Sequence, residues 1–148
     1  MKVERVDHIH IAIKNLEEAA SFFSSILGTE FMGPIDHGNM RVAFNDIGLE
    51  LVCPSDPEHP FTQRMGKMPE GEGLFSIGLK VPNLEEALAE LETKGIKCLR
   101  KNTSLPDLKT AQIDPADTHG VWIELVEYKT VSPVVLANMS KVREIPFF

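Results

Sequence analysis

The chain has only two cysteines, no long apolar run and no basic cluster, and each shortage removes a class of function. Cys53 and Cys98, in a reducing compartment, read as half-buried small hydrophobes rather than as a disulfide or a metal pair. No window approaches the roughly 18 apolar residues that span a bilayer, and the opening Met1-Lys2-Val3-Glu4-Arg5 lacks the apolar core of a signal peptide. A cytoplasmic location with no membrane partner is therefore expected. The 15 Lys and Arg are scattered and outnumbered by 22 Asp and Glu, for a net charge of −7. That balance argues against nucleic acid, which needs a clustered basic face.

What is present is a repeat. Ile9-His10-Ile11-Ala12-Ile13-Lys14-Asn15-Leu16-Glu17-Glu18-Ala19 returns without a gap as Ile77-Gly78-Leu79-Lys80-Val81-Pro82-Asn83-Leu84-Glu85-Glu86-Ala87, 77 − 9 = 68 residues on. Leu49-Glu50-Leu51-Val52 returns as Ile123-Glu124-Leu125-Val126, 123 − 49 = 74 residues on. Two copies of a unit too small to bury its own apolar face must pack on each other. A pseudo-twofold axis with equivalent residues facing a shared space is the expectation.

Each copy has the same plan. Residues 5 to 13 alternate as a half-buried strand, with Ile9, Ile11 and Ile13 on one face and His8, His10 and Ala12 on the other. Asn15 with Glu18 three residues on predicts a capped helix start, and Gly28 its stop. Strands are expected at 29–35, 40–45 and 49–53, separated by the turn residues Asp36-His37-Gly38-Asn39 and Asp46-Ile47-Gly48. The second copy predicts a strand at 74–81, a helix from Asn83 to Gly95, and strands near 97–101, 109–113 and 121–128. The fold class is α+β: two βαβββ modules forming a cup-shaped sheet. Its single domain comprises module 1 (5–53), a linker (54–73) with one short helix around 61–65, module 2 (74–128) and a C-terminal tail (129–148). The tail is apolar enough to pack on its own module or on a second subunit.

The offsets pair His8 with Ser76, His10 with Gly78 and Glu50 with Glu124, and the alternation sets all of them opposite the apolar face. A cup holding one imidazole and two carboxylates suits a divalent metal such as Co, Zn, Ni or Mn. For a lone His8 the plain alternative is a strand histidine satisfied by a hydrogen bond, with Asp7 beside it. Two glutamates in apolar strands at equivalent places of a repeat shift the balance toward ligands.

These residues resemble the vicinal oxygen chelate superfamily, which includes glyoxalase I, extradiol dioxygenases, antibiotic resistance proteins and methylmalonyl-CoA epimerase. The resemblance covers about residues 5 to 128. It is carried by Val6-Asp7-His8-Ile9-His10-Ile11-Ala12-Ile13, Arg41-Val42-Ala43-Phe44, Gly71-Glu72-Gly73-Leu74 and the run Asp114-Pro115-Ala116-Asp117-Thr118-His119-Gly120-Val121-Trp122-Ile123-Glu124. It is similar to the epimerase branch in particular, and implies a glyoxalase-like fold in which His8, Glu50 and Glu124 hold the metal. Ser76 stands at the fourth ligand position, with His10 as its possible substitute. The implied function is a metal-dependent epimerase, isomerase or lyase acting through an enolate of a small carbonyl or acyl-thioester substrate, in a homodimer. Glu50, Glu124, Asp36 and His37 are the candidate bases, and His10, Ser76 and Lys80 the candidate substrate contacts. The alternatives are a glyoxalase I-like lyase and a metal-free small-molecule-binding protein of the resistance type. Where the epimerases carry a Gly-rich segment this chain reads Asn102 to Lys109, which weighs against coenzyme A as the handle.

Overall fold

The computed structural model describes residues 1–36, 39–105 and 107–129. In chain order its elements are β1 (Arg5–Ala12), α1 (Leu16–Leu27), β2 (Met32–Asp36), β3 (Met40–Phe44), β4 (Leu49–Pro54), α2 (Pro60–Met65), β5 (Gly73–Lys80), α3 (Leu84–Thr93), β6 (Cys98–Leu105), β7 (Leu108–Ile113) and β8 (Trp122–Tyr128). This is the α+β, twice-repeated βαβββ order read from the repeat. The chain forms two compact units, residues 9–75 and residues 1–8 with 76–129, and β1 begins in one and ends in the other.

In residues 9–75 the strand order is β2-β3-β4-β1, with β1 and β4 parallel and the rest antiparallel. Helix α1 starts where Asn15 Oδ1 accepts from Glu18 N at 3.1 Å, and Glu17 and Glu18 favour the positive end of its dipole. It stops at Gly28, whose φ of 64° is a conformation that glycine reaches without Cβ strain. Ile13, Leu16, Ala43 and Leu51 form the core here, with Ala19, Ala20 and Phe23 of the helix packed against them. β2 begins at Met32 rather than at 29, because Thr29 leaves the helix cap to donate to Asp46 Oδ1 at 3.0 Å. Asn45 closes the next turn by accepting from Leu49 N at 2.8 Å. The connector is not bare: in α2, Phe61 and Met65 are buried, and the Phe61 ring lies 4.2 Å from that of Phe75.

In residues 1–8 and 76–129 the order is β1-β5-β8-β7-β6, with β5 and β8 parallel. Helix α3 is capped by Asn83, which accepts from Glu86 N at 3.1 Å, and its Leu84 N–H donates to Glu127 Oε2 at 2.7 Å. The helix ends at Thr93 with Lys94 rather than Gly95 as its cap, and Gly95 supplies a left-handed φ of 74° one residue later. Val81, Leu84, Ala87, Leu91, Ala111, Ile113 and Leu125 make the core. Val81, Leu84 and Leu125 are the repeat mates of Ile13, Leu16 and Leu51, so each copy builds its core from the same positions.

Candidate metal centre

β1 alternates as the sequence predicts, but the burial of its faces is the reverse of a polar side turned to water. His8, His10 and Ala12 are the buried residues, while Ile9 and Ile11 are half-buried and Val6 is exposed. A strand flanked on both edges can bury polar groups on one face only if each finds a partner there. The two histidines do.

Within residues 9–75, His10 stands directly opposite Glu50 in the parallel β1–β4 register. Its Nε2 lies 3.2 Å from Glu50 Oε2, and both residues are buried, at 7% and 3% exposure. Phe44 faces Glu50 from the other neighbouring strand and is fully buried. A cleft of about 830 Å³ in the same unit is lined by Ile11, Ile13, Lys14, Phe22 and Glu72, on the isoleucine face of β1, so it is not on the side that carries His10.

In the other unit the repeat mate of His10 is Gly78, and it stands opposite Glu124 just as His10 stands opposite Glu50. The imidazole here comes from His8. A Cβ on Gly78 would sit 2.5 Å from His8 Cε1 and 2.7 Å from each ring nitrogen, so the ring occupies the space that any side chain at 78 would need. His8 Nε2 lies 3.2 Å from Glu124 Oε2, with both residues buried. Its Nδ1 lies 2.9 Å from Asp7 Oδ2. Asp7 Oδ1 accepts from Tyr128 Oη at 2.5 Å and from Arg5 Nη2 at 3.3 Å, and the Arg5 guanidinium also donates to the Tyr128 oxygen. The Asp7 side chain is only 1% exposed. Burial pushes its carboxyl up, yet the hydrogen bonds from His8 and Tyr128, with the charge of His8 and the Arg5 contact behind them, hold it at about 2.

The donor set fits a divalent cation. Two ligands at roughly 2.1 Å from one ion, seen at 90 to 110°, lie roughly 3.0–3.4 Å apart, and both histidine–carboxylate pairs are separated by 3.2 Å. Gln112 stands opposite Glu124 in the β7–β8 register, and its buried Oε1 has no partner among the described residues. An acceptor orphaned beside a carboxylate calls for a cation or an ordered water.

The other expected residues are placed as follows. Ser76 is buried on β5 opposite Trp122. Lys80 Nζ is taken up by Glu4 at 2.7 Å and lies 4.6 Å from the centre of the Tyr128 ring. The Asp36 side chain is 78% exposed at the end of β2, its carboxylate 3.3 Å from Arg41 Nε. His37 lies outside the described residues, as do residues 130–148 of the tail. Sequence reasoning treated Asp7 only as a hydrogen-bonding neighbour of His8 and gave no role to Tyr128, Arg5 or Gly78. A glycine inside a strand pattern signals close approach by another group, which is what Gly78 has.

Residues 7–111 match the model of the Glyoxalase/Bleomycin resistance protein/Dioxygenase superfamily. An uncharacterized protein of Bacillus subtilis, YqjC, is 31% identical over 137 residues, covering 86% of this chain and 94% of its own. The mitochondrial methylmalonyl-CoA epimerase of Mus musculus is 28% identical, over 84% of this chain and 73% of its own. Among solved structures, a Streptomyces coelicolor methylmalonyl-CoA epimerase in complex with 2-nitronate-propionyl-CoA superposes with a TM-score of 0.74 at 26% identity, over 88% of this chain and 99% of that one. With its twice-repeated βαβββ order and a family match over most of its length, the chain belongs to the glyoxalase, bleomycin resistance protein and dioxygenase superfamily.

Proposed function

We propose that the chain is a metal-dependent epimerase or isomerase that works through an enolate of a small carbonyl or acyl-thioester substrate. The observation that carries this reading is the presence of two buried histidine–carboxylate pairs at the same 3.2 Å spacing, His8 with Glu124 and His10 with Glu50. His8, His10 and Glu50 form a group suited to a metal ion. In this proposal His8, Glu50 and Glu124 are ligands and His10 stands in for the imidazole absent at Ser76. A bound divalent ion would supply Lewis acidity, polarising a substrate oxygen and lowering the cost of the charge that develops on it.

The chain's own residues do the rest. Asp7 holds the His8 ring from behind, and His10 holds Glu50. A carboxylate, Glu50 or Glu124, takes the proton alpha to the substrate carbonyl and returns it, to the opposite face in an epimerisation or to the neighbouring carbon in an isomerisation. The buried glutamates suit this better than Asp36, which is exposed and tied to Arg41, because proton abstraction at carbon is helped by excluding water. Ser76, buried on the β5 strand, is the proposed polar contact to substrate.

The test is deuterium exchange. Protein reconstituted with Co(II) in D2O is mixed with racemic methylmalonyl-CoA, and separately with the hemithioacetal of methylglyoxal and glutathione. Loss of the alpha-proton signal of the thioester is expected, absent in metal-stripped protein and in Glu124→Gln. Turnover of the hemithioacetal alone would assign the glyoxalase I-like lyase reading instead. No exchange with either substrate in metal-loaded protein would contradict the proposal.

A further inference from the structure

We infer that Gln112 is a further ligand of the ion, its side-chain carbonyl oxygen adding a neutral oxygen donor beside His8 and Glu124. This rests on the metal reading above and names one more residue of the same site.

Gln112 on β7 stands directly opposite Glu124 on β8. Residues so paired in antiparallel strands share a face, with Cβ atoms roughly 4.5–5.5 Å apart. Gln112 is 8% exposed, and its buried Oε1 has no partner among the described residues. Folding strips water from that oxygen and gives no hydrogen bond in return, which is a cost. The repeat shows that the fold does not demand this cost. The mate of Gln112 lies at 112 − 68 = 44, and Phe44 stands opposite Glu50 just as Gln112 stands opposite Glu124. Phe44 is 1% exposed, so a wholly apolar side chain closes the equivalent place. A polar group kept where an apolar one fits is there for what it binds.

The neighbours say what that is. Glu124 is flanked by Gln112 on the β7 side and, on the β5 side, by the His8 ring in the place of a Gly78 side chain. His8, Gln112 and Glu124 all belong to the unit of residues 1–8 and 76–129. An imidazole, a carboxylate and an amide oxygen side by side form a mixed nitrogen and oxygen donor set for one divalent cation. The amide oxygen is a hard donor, of the kind that suits Mn(II) better than Zn(II).

Two variants test this. Gln112→Leu removes the oxygen at similar volume, whereas Gln112→Glu keeps an oxygen donor and adds charge. Mn(II), Co(II) and Zn(II) are titrated into the stripped native protein and both variants, and urea midpoints are measured without metal. Gln112→Leu is expected to keep or raise the metal-free midpoint, since the unpaired oxygen is gone. It is expected to weaken Mn(II) binding at least about 10-fold, because losing a ligand should cost no less than losing a group that supports one. The loss for Zn(II) should be smaller. Gln112→Glu is expected to lower the metal-free midpoint, by repulsion from Glu124, and to bind Mn(II) at least as tightly as the native chain.

The two readings fail separately. A native protein that binds the ion, with Gln112→Leu binding it as tightly, would overturn the role of Gln112 and leave the metal in place. The same equal binding with a lowered metal-free midpoint would make Gln112 a structural partner within the fold, and overturns the inference too. A folded native protein that binds none of the three ions would sink both readings. Should Gln112→Leu not fold, Gln112→Glu decides, since weaker Mn(II) binding there contradicts the inference.

Discussion

The imidazole of His8 occupies the space where a side chain on Gly78 would be, with the Cε1 atom 2.5 Å from the place of the missing Cβ. Neighbouring strands of one unit thus share a single side-chain volume, and His8 supplies beside Glu124 the imidazole that His10 supplies beside Glu50. In a strand, alanine is ordinarily favoured over glycine by about 0.5–1 kcal/mol. Here the sign should reverse. Gly78→Ala is expected to destabilise by about 1–3 kcal/mol, as overpacking does, and to move the His8 ring resonances. Urea denaturation with the NMR spectrum checks both; an unchanged or raised midpoint with His8 unmoved would contradict the placement of the ring.

The two helix caps should differ. Asn15→Ala and Asn83→Ala each remove a side-chain acceptor from the first turn, worth about 1 kcal/mol. The start of α3 keeps a second acceptor, because Leu84 N still donates to Glu127 Oε2 at 2.7 Å. Denaturation curves are expected to show the larger loss for Asn15→Ala.

Ser76→His would add the second imidazole that the superfamily resemblance leads one to expect at that position. The site is buried, so the larger ring should cost about 1–3 kcal/mol of stability. Co(II) titration is expected to show tighter binding all the same. An affinity no better than that of the native chain would mean that His10 or another group already fills the place.

Burial pushes both the Cys53 and the Cys98 thiol up, only partly offset by Arg41 near the first and Lys101 near the second. The thiolate is the reactive species, so at pH 8 both should alkylate with iodoacetamide more slowly than free cysteine, and at the free rate once denatured. Mass spectrometry over time reads this. Rapid labelling of either in the folded protein would contradict the burial seen for it.

How much of this was legible in the sequence depends on which signal a residue carried. Asn15, Gly28 and Asn83 were readable because caps are local, one side chain answering one backbone group. The repeat offsets carried further, to the strand register itself, since His10 with Glu50 and Gly78 with Glu124 are equivalent pairs. Tyr128 was not readable. It is the only tyrosine of the chain, 121 residues from Asp7, and no periodicity marks a contact made across strands. The burial of the β1 faces also escaped, because alternation says which residues share a face but not which face is closed over by its neighbours.

The proposal stands on metal binding by the buried histidine–carboxylate pairs, His8 with Glu124 and His10 with Glu50. Elemental analysis of protein purified without chelator or metal-binding tag, followed by Co(II) titration of the stripped form, tests it most directly. The account predicts one ion per chain, with Glu124→Gln keeping the fold but losing at least about 10-fold in affinity, since removing a ligand should cost no less than removing its supporting partner. A folded native protein that binds no ion, or a Glu124→Gln variant that binds as tightly as native, would contradict it.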